Sequence, residues 1–229
     1  MKRAFLTFAL VFSVSSFLPA FGLFMEGGLG YNSDENVGLG FVCSSKGPYF
    51  GIGTGVIADP FSFFFGVDNW KTSWGVNIDF LIKPEIAFVR GEEHYQVQSI
   101  TDGASLRIMP YLEISRGLND WFYGGFGLGY GFNNIYFGMR PQLYDNEYTH
   151  YRLSSNSWTP TLFLRAYIKG TLYISLNYEA DIVVNGELTR IAGDPLADMT
   201  KIDGAKDIQG VHHRGRLVIG WVLSFASDF

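Results

Sequence analysis

From Arg216 to Phe229 the chain alternates without interruption. Leu217, Ile219, Trp221, Leu223, Phe225, Ser227 and Phe229 share one parity; Arg216, Val218, Gly220, Val222, Ser224, Ala226 and Asp228 share the other. A period of two marks a strand, because successive side chains leave opposite faces. The first face is large, apolar and aromatic. The second is small or polar apart from two valines. The same alternation recurs over Leu23–Tyr31, Val37–Val42, Phe50–Val56, Trp74–Ile82, Ile86–Arg90, Leu106–Ile114, Phe122–Phe132, Trp158–Ile168 and Leu172–Asp181. No helical period of comparable length competes, and no fixed-length repeat is present.

The intervening stretches are polar or turn-forming. Short ones, Ser44–Pro48, Lys83-Pro84, Arg116–Asp120 and Lys169-Gly170, alternate with longer ones near 32–36, 58–72, 91–103, 133–157 and 185–210. Counted back from the C-terminus, every short connection falls on one side. Membrane barrels have short turns at the periplasmic end and longer loops outside. The pattern therefore predicts a closed antiparallel transmembrane β-barrel of about ten strands. Eight strands result if the segments at 37–43 and 49–57 fold as a hairpin within the first external loop. On this reading 133–157 and 185–210 are external loops that could present Tyr136, Phe137, Tyr144, Tyr148 and Tyr151 to a partner.

Composition supports strands over membrane helices. The chain is 47% hydrophobic and 17% aromatic, yet its mean hydropathy is only +0.10, so apolar residues are interleaved rather than gathered into runs. A formal net charge of -5 argues against nucleic acid as a partner. A single cysteine, Cys43, excludes an intramolecular disulfide. The N-terminus carries the parts of an export signal: Lys2 and Arg3, an apolar run from Ala4 to Phe17, a break at Pro19, and Ala20 and Gly22 as small residues for cleavage. Residues 1–22 are expected to be a cleaved signal peptide and residues 23–229 the barrel.

Met109-Pro110-Tyr111-Leu112, the run Asp120 to Tyr130 and the terminal Trp221 to Phe229 resemble small outer-membrane barrels of the OmpW and OmpX kind. The resemblance covers about the C-terminal two-thirds. It implies residence in the outer membrane of a double-membraned bacterium and contact with its lipid. It also implies insertion by the barrel-assembly machinery, with Phe229 as the assembly signal. Its OmpW branch implies a narrow passive channel for small, often apolar, solutes. A surface-interaction barrel that holds a host or matrix ligand on its external loops is the alternative. Pro110 and Pro160 depart from a regular strand. Each lacks a ladder donor and is expected at an edge, at a bulge or above the membrane.

Charged residues fall on the inward parity. Arg107, Arg165 and Arg216 share it with Glu26, Asp79, Glu113, Glu179 and Asp181. An arginine on the lipid face near the midplane costs about 2–4 kcal/mol, which puts these groups in the lumen. There they form either a plug of mutual salt bridges or a selectivity filter. Phe61, Phe63, Phe64, Phe65 and Trp70 form either an aromatic girdle or a greasy lip for an apolar solute. His212 and His213 are adjacent, so on a strand their rings point apart, which disfavours a shared metal. His150 near Ser154, Ser155 and Ser157 could suggest a nucleophile with its base, but serine and histidine are common in loops. No catalytic residue, metal or cofactor is expected.

Overall fold

The computed structural model describes residues 21–38, 40–65, 69–91, 93–99, 105–141, 148–168, 171–193 and 204–224. The expected leader up to residue 20, the Lys169-Gly170 turn and Phe229 lie outside these, as do the side chains of Phe63 and Phe64. Ten strands and one short helix make up the rest: β1 (Phe21–Gly38), β2 (Phe41–Ala58), α1 (Pro60–Phe65), β3 (Trp70–Leu81), β4 (Glu85–Arg90), β5 (Glu93–Ser99), β6 (Leu106–Gly117), β7 (Phe122–Pro141), β8 (Thr149–Ile168), β9 (Leu172–Ala192) and β10 (Gln209–Ser224). β1 starts two residues ahead of the expected mature N-terminus.

All pairings between these strands are antiparallel, and the sheet closes. β1 pairs with β10 from Gly22↔Ser224 to Val37↔Gln209, and with β2 from Phe21↔Ala58 to Gly38↔Phe41. Ten strands nevertheless give a ring of eight at every level. Near the terminal end, where β1 begins and β10 stops, β3 and β6 bridge β2 to β7. Near the far end β4 and β5 take over the same two flanks. β3 and β4 are thus one wall strand with a bulge. Leu81 faces Tyr49 and Glu85 faces Lys46, so four steps on one strand match three on the other. Lys83, at φ 45°, absorbs the extra residue. β5 and β6 take successive stretches of β7, Ser99 facing Phe137 and Leu106 facing Asn134.

The eight-stranded alternative holds, but not by the expected route. Residues 37–57 are not a hairpin inside a loop. The polar stretch Asn32–Asn36 continues β1, and Ser44–Pro48 continues β2. β1 runs on to Gly38 and β2 starts at Phe41, with Gly40 before it at φ 79°. Polar runs were expected to be turns. Here Asn32, Asp34 and Asn36 point into a polar lumen while Ser33 and Glu35 point out, and a strand wetted on both faces reads like a loop. The same correction applies to 133–157 and 185–210. Much of both is wall: β7 runs to Pro141, β8 starts at Thr149, and β9 reaches Ala192. Of the aromatic residues expected on a binding loop, Phe137 and Tyr151 are buried inside the barrel. Lys83-Pro84 is the bulge, not a periplasmic turn. The connection carrying α1 leaves from the terminal end, not the far end with the long connections, because two former turns are strand.

Polarity inverts along the axis. In the terminal half the outward residues are apolar: Leu23, Met25 and Leu29 on β1, Leu112 on β6, Phe126 and Leu128 on β7, Leu162 and Leu164 on β8, and Leu217, Ile219 and Trp221 on β10 are all exposed. In the far half the outward positions include Ser33, Glu35, Lys46, Ser154, Asn156 and Glu187, with Val37, Val42 and Val211 among them. The interior inverts too. Phe41, Cys43, Phe88, Ile135, Phe137, Met139, Tyr151, Leu153, Leu188 and Ile208 pack into an apolar cluster inside the far half. The charged lumen runs from the row of Asp34, His212 and Asp181 to Arg165 and Glu113, lined toward the terminal end by a second cluster around Phe24, Tyr111, Tyr167 and Tyr173. The terminal half is built for hydrocarbon outside, as in transmembrane barrels. The far half is built like a soluble barrel.

Pro110 and Pro160 both sit in the apolar band with outward faces. Each interrupts the ladder on one side only: the β6–β7 register skips Met109 and Pro110, and the β8–β9 register skips Thr159 and Pro160. The opposite side stays paired, as Val76↔Pro110 and Leu128↔Pro160.

The inversion makes position along the axis decide the cost of a charge. Leu112→Arg should lower unfolding free energy in lipid vesicles by about 2–4 kcal/mol. Ser33→Arg should stay within about 0.5 kcal/mol. Denaturant titration of both variants in vesicles measures the difference. Cys43 lies in the far half, beyond the apolar band, where burial and then Asp34 push its thiol up to about 12. A maleimide at neutral pH should leave folded protein unmodified and label it fully after unfolding; rapid labelling of folded protein would contradict the packing of that cluster.

Candidate functional site: the charged lumen

Cross-strand register builds the site. Asp79 on β3 stands opposite Arg107 on β6. Asp34 on β1, His212 on β10 and Asp181 on β9 form one inward row. Arg214 and Glu179 face each other one row nearer the terminal end. Arg216 follows, opposite Gly30. Glycine leaves space for these long side chains. A Cβ on Gly51 would collide with the Asp79 carboxylate, and one on Gly220 would collide with the Tyr173 ring. These steric demands explain the glycine alternation of the inward faces.

Arg107 is the hub, with 1% of its surface exposed. Its Nη1 donates to Asp79 Oδ2 at 2.8 Å and to Glu179 Oε2 at 2.6 Å. Its Nη2 donates to Asp181 Oδ1 at 2.7 Å. It therefore reaches across the lumen from β6 to β9. Thr159 donates to the same Asp181 oxygen at 2.6 Å. Arg216 bridges Glu26 and Asp79, and Tyr173 donates to the other oxygen of Glu26 at 2.6 Å. Nearer the terminal end Arg165 Nη2 donates to Glu113 Oε2 at 3.1 Å. Ser73 donates to that same oxygen at 3.0 Å. The Arg165 guanidinium also lies over the Tyr173 and Phe163 rings, at 4.6 and 4.8 Å.

The structure thus places Arg107, Asp79, Glu179 and Asp181 in one network, tied through Arg216 to Glu26. It puts Arg165 and Glu113 in a second pair. Sequence reasoning left Asp34, His212 and Arg214 out of the lumen set. Arg214 Nε lies 3.1 Å from Asp181 Oδ2. Asn32 and Ser45 both donate to Asp34 Oδ2, at 2.9 and 3.3 Å. The His212 Nδ1 lies 3.8 Å from Asp181 and 3.9 Å from Asp34. Its Nε2 is 2.9 Å from Asn36 Oδ1. The signal was available: residues 32, 34 and 36 keep the parity of Glu26, and residues 212 and 214 keep that of Arg216. His213 faces outward, 2.7 Å from the Tyr178 hydroxyl. Among the described buried residues the lumen holds six carboxylates, four guanidiniums and one imidazole.

The aromatic group is divided. Phe61 lies 5.6 Å from Trp70 and 6.3 Å from Phe65. Arg116 lies over the Trp70 ring at 5.8 Å. This cluster sits at the terminal end, beside the apolar band. Of the serines near His150, Ser154 donates to Asn134 Oδ1 at 2.8 Å on the outer wall; Ser155 and Ser157 are buried inward.

Removing one charge from a buried network strands the others. Arg107→Met leaves Asp79, Glu179 and Asp181 without their shared partner and should cost about 3–5 kcal/mol. Combining it with Asp79→Asn, Glu179→Gln and Asp181→Asn should recover most of that loss. Denaturant unfolding in detergent micelles compares the two; an equally unstable quadruple variant would mean that packing, not charge, is what Arg107 supplies.

No family model matches the chain, and no curated protein sequence matches it. Among solved structures it is similar to the outer membrane protein OprG from Pseudomonas aeruginosa, at 12% identity over 92% of this chain and 98% of that one, TM-score 0.49. It is similar to Neisserial surface protein A, at 9% identity over 89% and 97%, TM-score 0.44. It is also similar to Ail, the attachment invasion locus protein of Yersinia pestis, at 12% identity over 89% and 99%, TM-score 0.33. On its own geometry, a ring of eight antiparallel strands with an apolar outer band and a charged lumen, the chain is a small transmembrane β-barrel.

Proposed function

We propose that the chain is an outer-membrane barrel with a closed lumen, which works through its outer wall and far rim as a surface-interaction protein. The observation that carries this reading is the filling of the lumen. An aromatic cluster, a cross-braced charge network and an apolar cluster succeed one another along the axis. A small barrel has only enough interior for its own side chains, and here they meet. The plug reading of Arg107, Arg165, Arg216, Asp79, Glu113, Glu179 and Asp181 is thereby favoured over the filter. Outer-membrane residence is supported by the apolar band. The short connection at residues 118–121 fits a periplasmic terminal end. Phe61, Phe65 and Trp70 then serve as a periplasmic girdle rather than an external lip. Insertion by the barrel-assembly machinery follows from the family resemblance and its terminal aromatic. The polar outer wall of the far half is the surface offered to a host or matrix ligand.

The second reading is the narrow channel for small or apolar solutes. The excess of carboxylates over guanidiniums favours it, because an acidic lumen that loosened would select cations. Recording in planar bilayers separates the two. The expected result is a silent wild-type barrel that conducts after Arg107→Ala weakens the plug. Stepwise openings of the wild type, shifted in selectivity when Arg165 is neutralised, would replace the closed barrel with the channel.

A further inference from the structure

Two concavities lie on the same outer face, that of β8 and β9. One is an apolar groove of about 510 Å³ within the band. Its lining includes Gly124, Leu162, Leu164, Leu176, Tyr178 and Gly215. Register explains its depth. Tyr178 stands between Leu162 and Gly215, and Leu164 stands between Gly124 and Leu176. Glycine at either end lowers the wall where its neighbours carry bulky side chains. The other is a pocket of about 210 Å³ lined by Ser154, Asn156, Asn185, Glu187 and Lys206 among others. It sits at the β8–β9 bulge, where the register shifts between Asn156 and Ser157.

The two lie at different levels of one surface. Six residues of β8 separate Asn156 from Leu162, about 20 Å along the strand. Trp158 lies between them, half-exposed and 5.0 Å from Tyr130 in an edge-on contact. A Trp and Tyr pair of this kind suits the boundary between hydrocarbon and water. The groove is therefore below the boundary and the pocket above it. Their chemistry differs to match. The groove offers mainly aliphatic walls. The pocket offers two amides, two serine hydroxyls, one carboxylate and one ammonium, a set suited to hydroxyl groups more than to a bare anion, which Glu187 would repel.

From this alignment we infer that the β8–β9 face binds one glycolipid of the outer leaflet, with an acyl chain in the Gly124–Gly215 groove and sugar hydroxyls in the Asn156–Asn185 pocket. The inference rests on the membrane reading above and names a ligand for the surface that reading exposes. Binding is amphiphilic: neither concavity alone selects a glycolipid, and the spacing across Trp158 does.

The test uses the full barrel reconstituted into vesicles of phosphatidylethanolamine and phosphatidylglycerol, with or without rough-type lipopolysaccharide. The barrel is extracted in mild detergent, and its retained lipid is identified by mass spectrometry. Wild type should retain about one lipopolysaccharide per chain in preference to phospholipid. Gly215→Leu and Gly124→Leu fill the groove. A Cβ at Gly215 meets open space, and at Gly124 it meets Leu164 at ordinary contact, so both should fold. Retention should fall at least about tenfold in each. Asn156→Ala with Asn185→Ala should still retain lipid but lose the preference for lipopolysaccharide. Gly27→Leu, on the outer face of β1, should behave as wild type. Folding is checked for every variant by heat-dependent gel mobility. Equal retention by wild type and groove variants, or phospholipid retained as readily as lipopolysaccharide by wild type, overturns the inference. Failure of wild type to insert into either vesicle would instead overturn the membrane reading itself.

Discussion

A polypeptide in hydrocarbon has no water to bond its peptide groups, so each amide and carbonyl in the wall must find a partner in the chain. Here that demand is met by the seam between the first and last strands, paired from Gly22↔Ser224 to Val37↔Gln209. Without the seam both edges would meet lipid unpaired. Once it forms, the inward parity of all eight wall strands converges on one narrow axis. Closure is thus what brings Asp79, Arg107, Glu179 and Asp181, from three strands, within hydrogen-bond distance of one another.

The charges then have no choice of solvent. Outward, a guanidinium would face acyl chains; inward, it faces carboxylates on the opposite wall. Each residue type on the inner surface answers this geometry. Glycine makes room for long side chains, as Gly51 does beside Asp79. Hydroxyls such as Ser73 and Thr159 complete carboxylate shells that the arginines leave open. Beyond the outer edge of the band the same wall passes into water. Its amphipathic pattern keeps its period and exchanges its faces, so that Phe137 and Tyr151 point in where Arg107 and Glu179 did lower down.

That exchange governs what could be read in the primary structure. Where the outer face met lipid, alternation was strong, and the facing of Trp74 to Phe80, Leu106 to Ile114 and Phe122 to Phe132 was legible. The arginines and acids of the lumen were legible for the same reason. Where both faces were polar, as from Asn32 to Asn36, the strand looked like a turn. Its inward Asp34 was lost with it, and so was the register that places His212 beside it. The interruption at Ile82 to Pro84 was visible, but nothing local told a bulge from a turn. That distinction depends on β2 continuing past it, from Tyr49 to Lys46. Strand boundaries failed at such points, and the sidedness of α1 with them.

The apolar cluster sealed inside the far half carries a consequence for biogenesis. On the proposed orientation, the segments that supply Phe41, Phe88, Phe137, Tyr151 and Leu188 begin on the opposite side of the bilayer from where they finish. Their packing partners come from distant parts of the chain, and the cluster is complete only when all have been translocated. Collapse on the outside then acts as a ratchet. A strand that has delivered its aromatic tip into that dry interior can slip back only by rewetting it. The half of the molecule that never touches lipid would in this way fix the half that does.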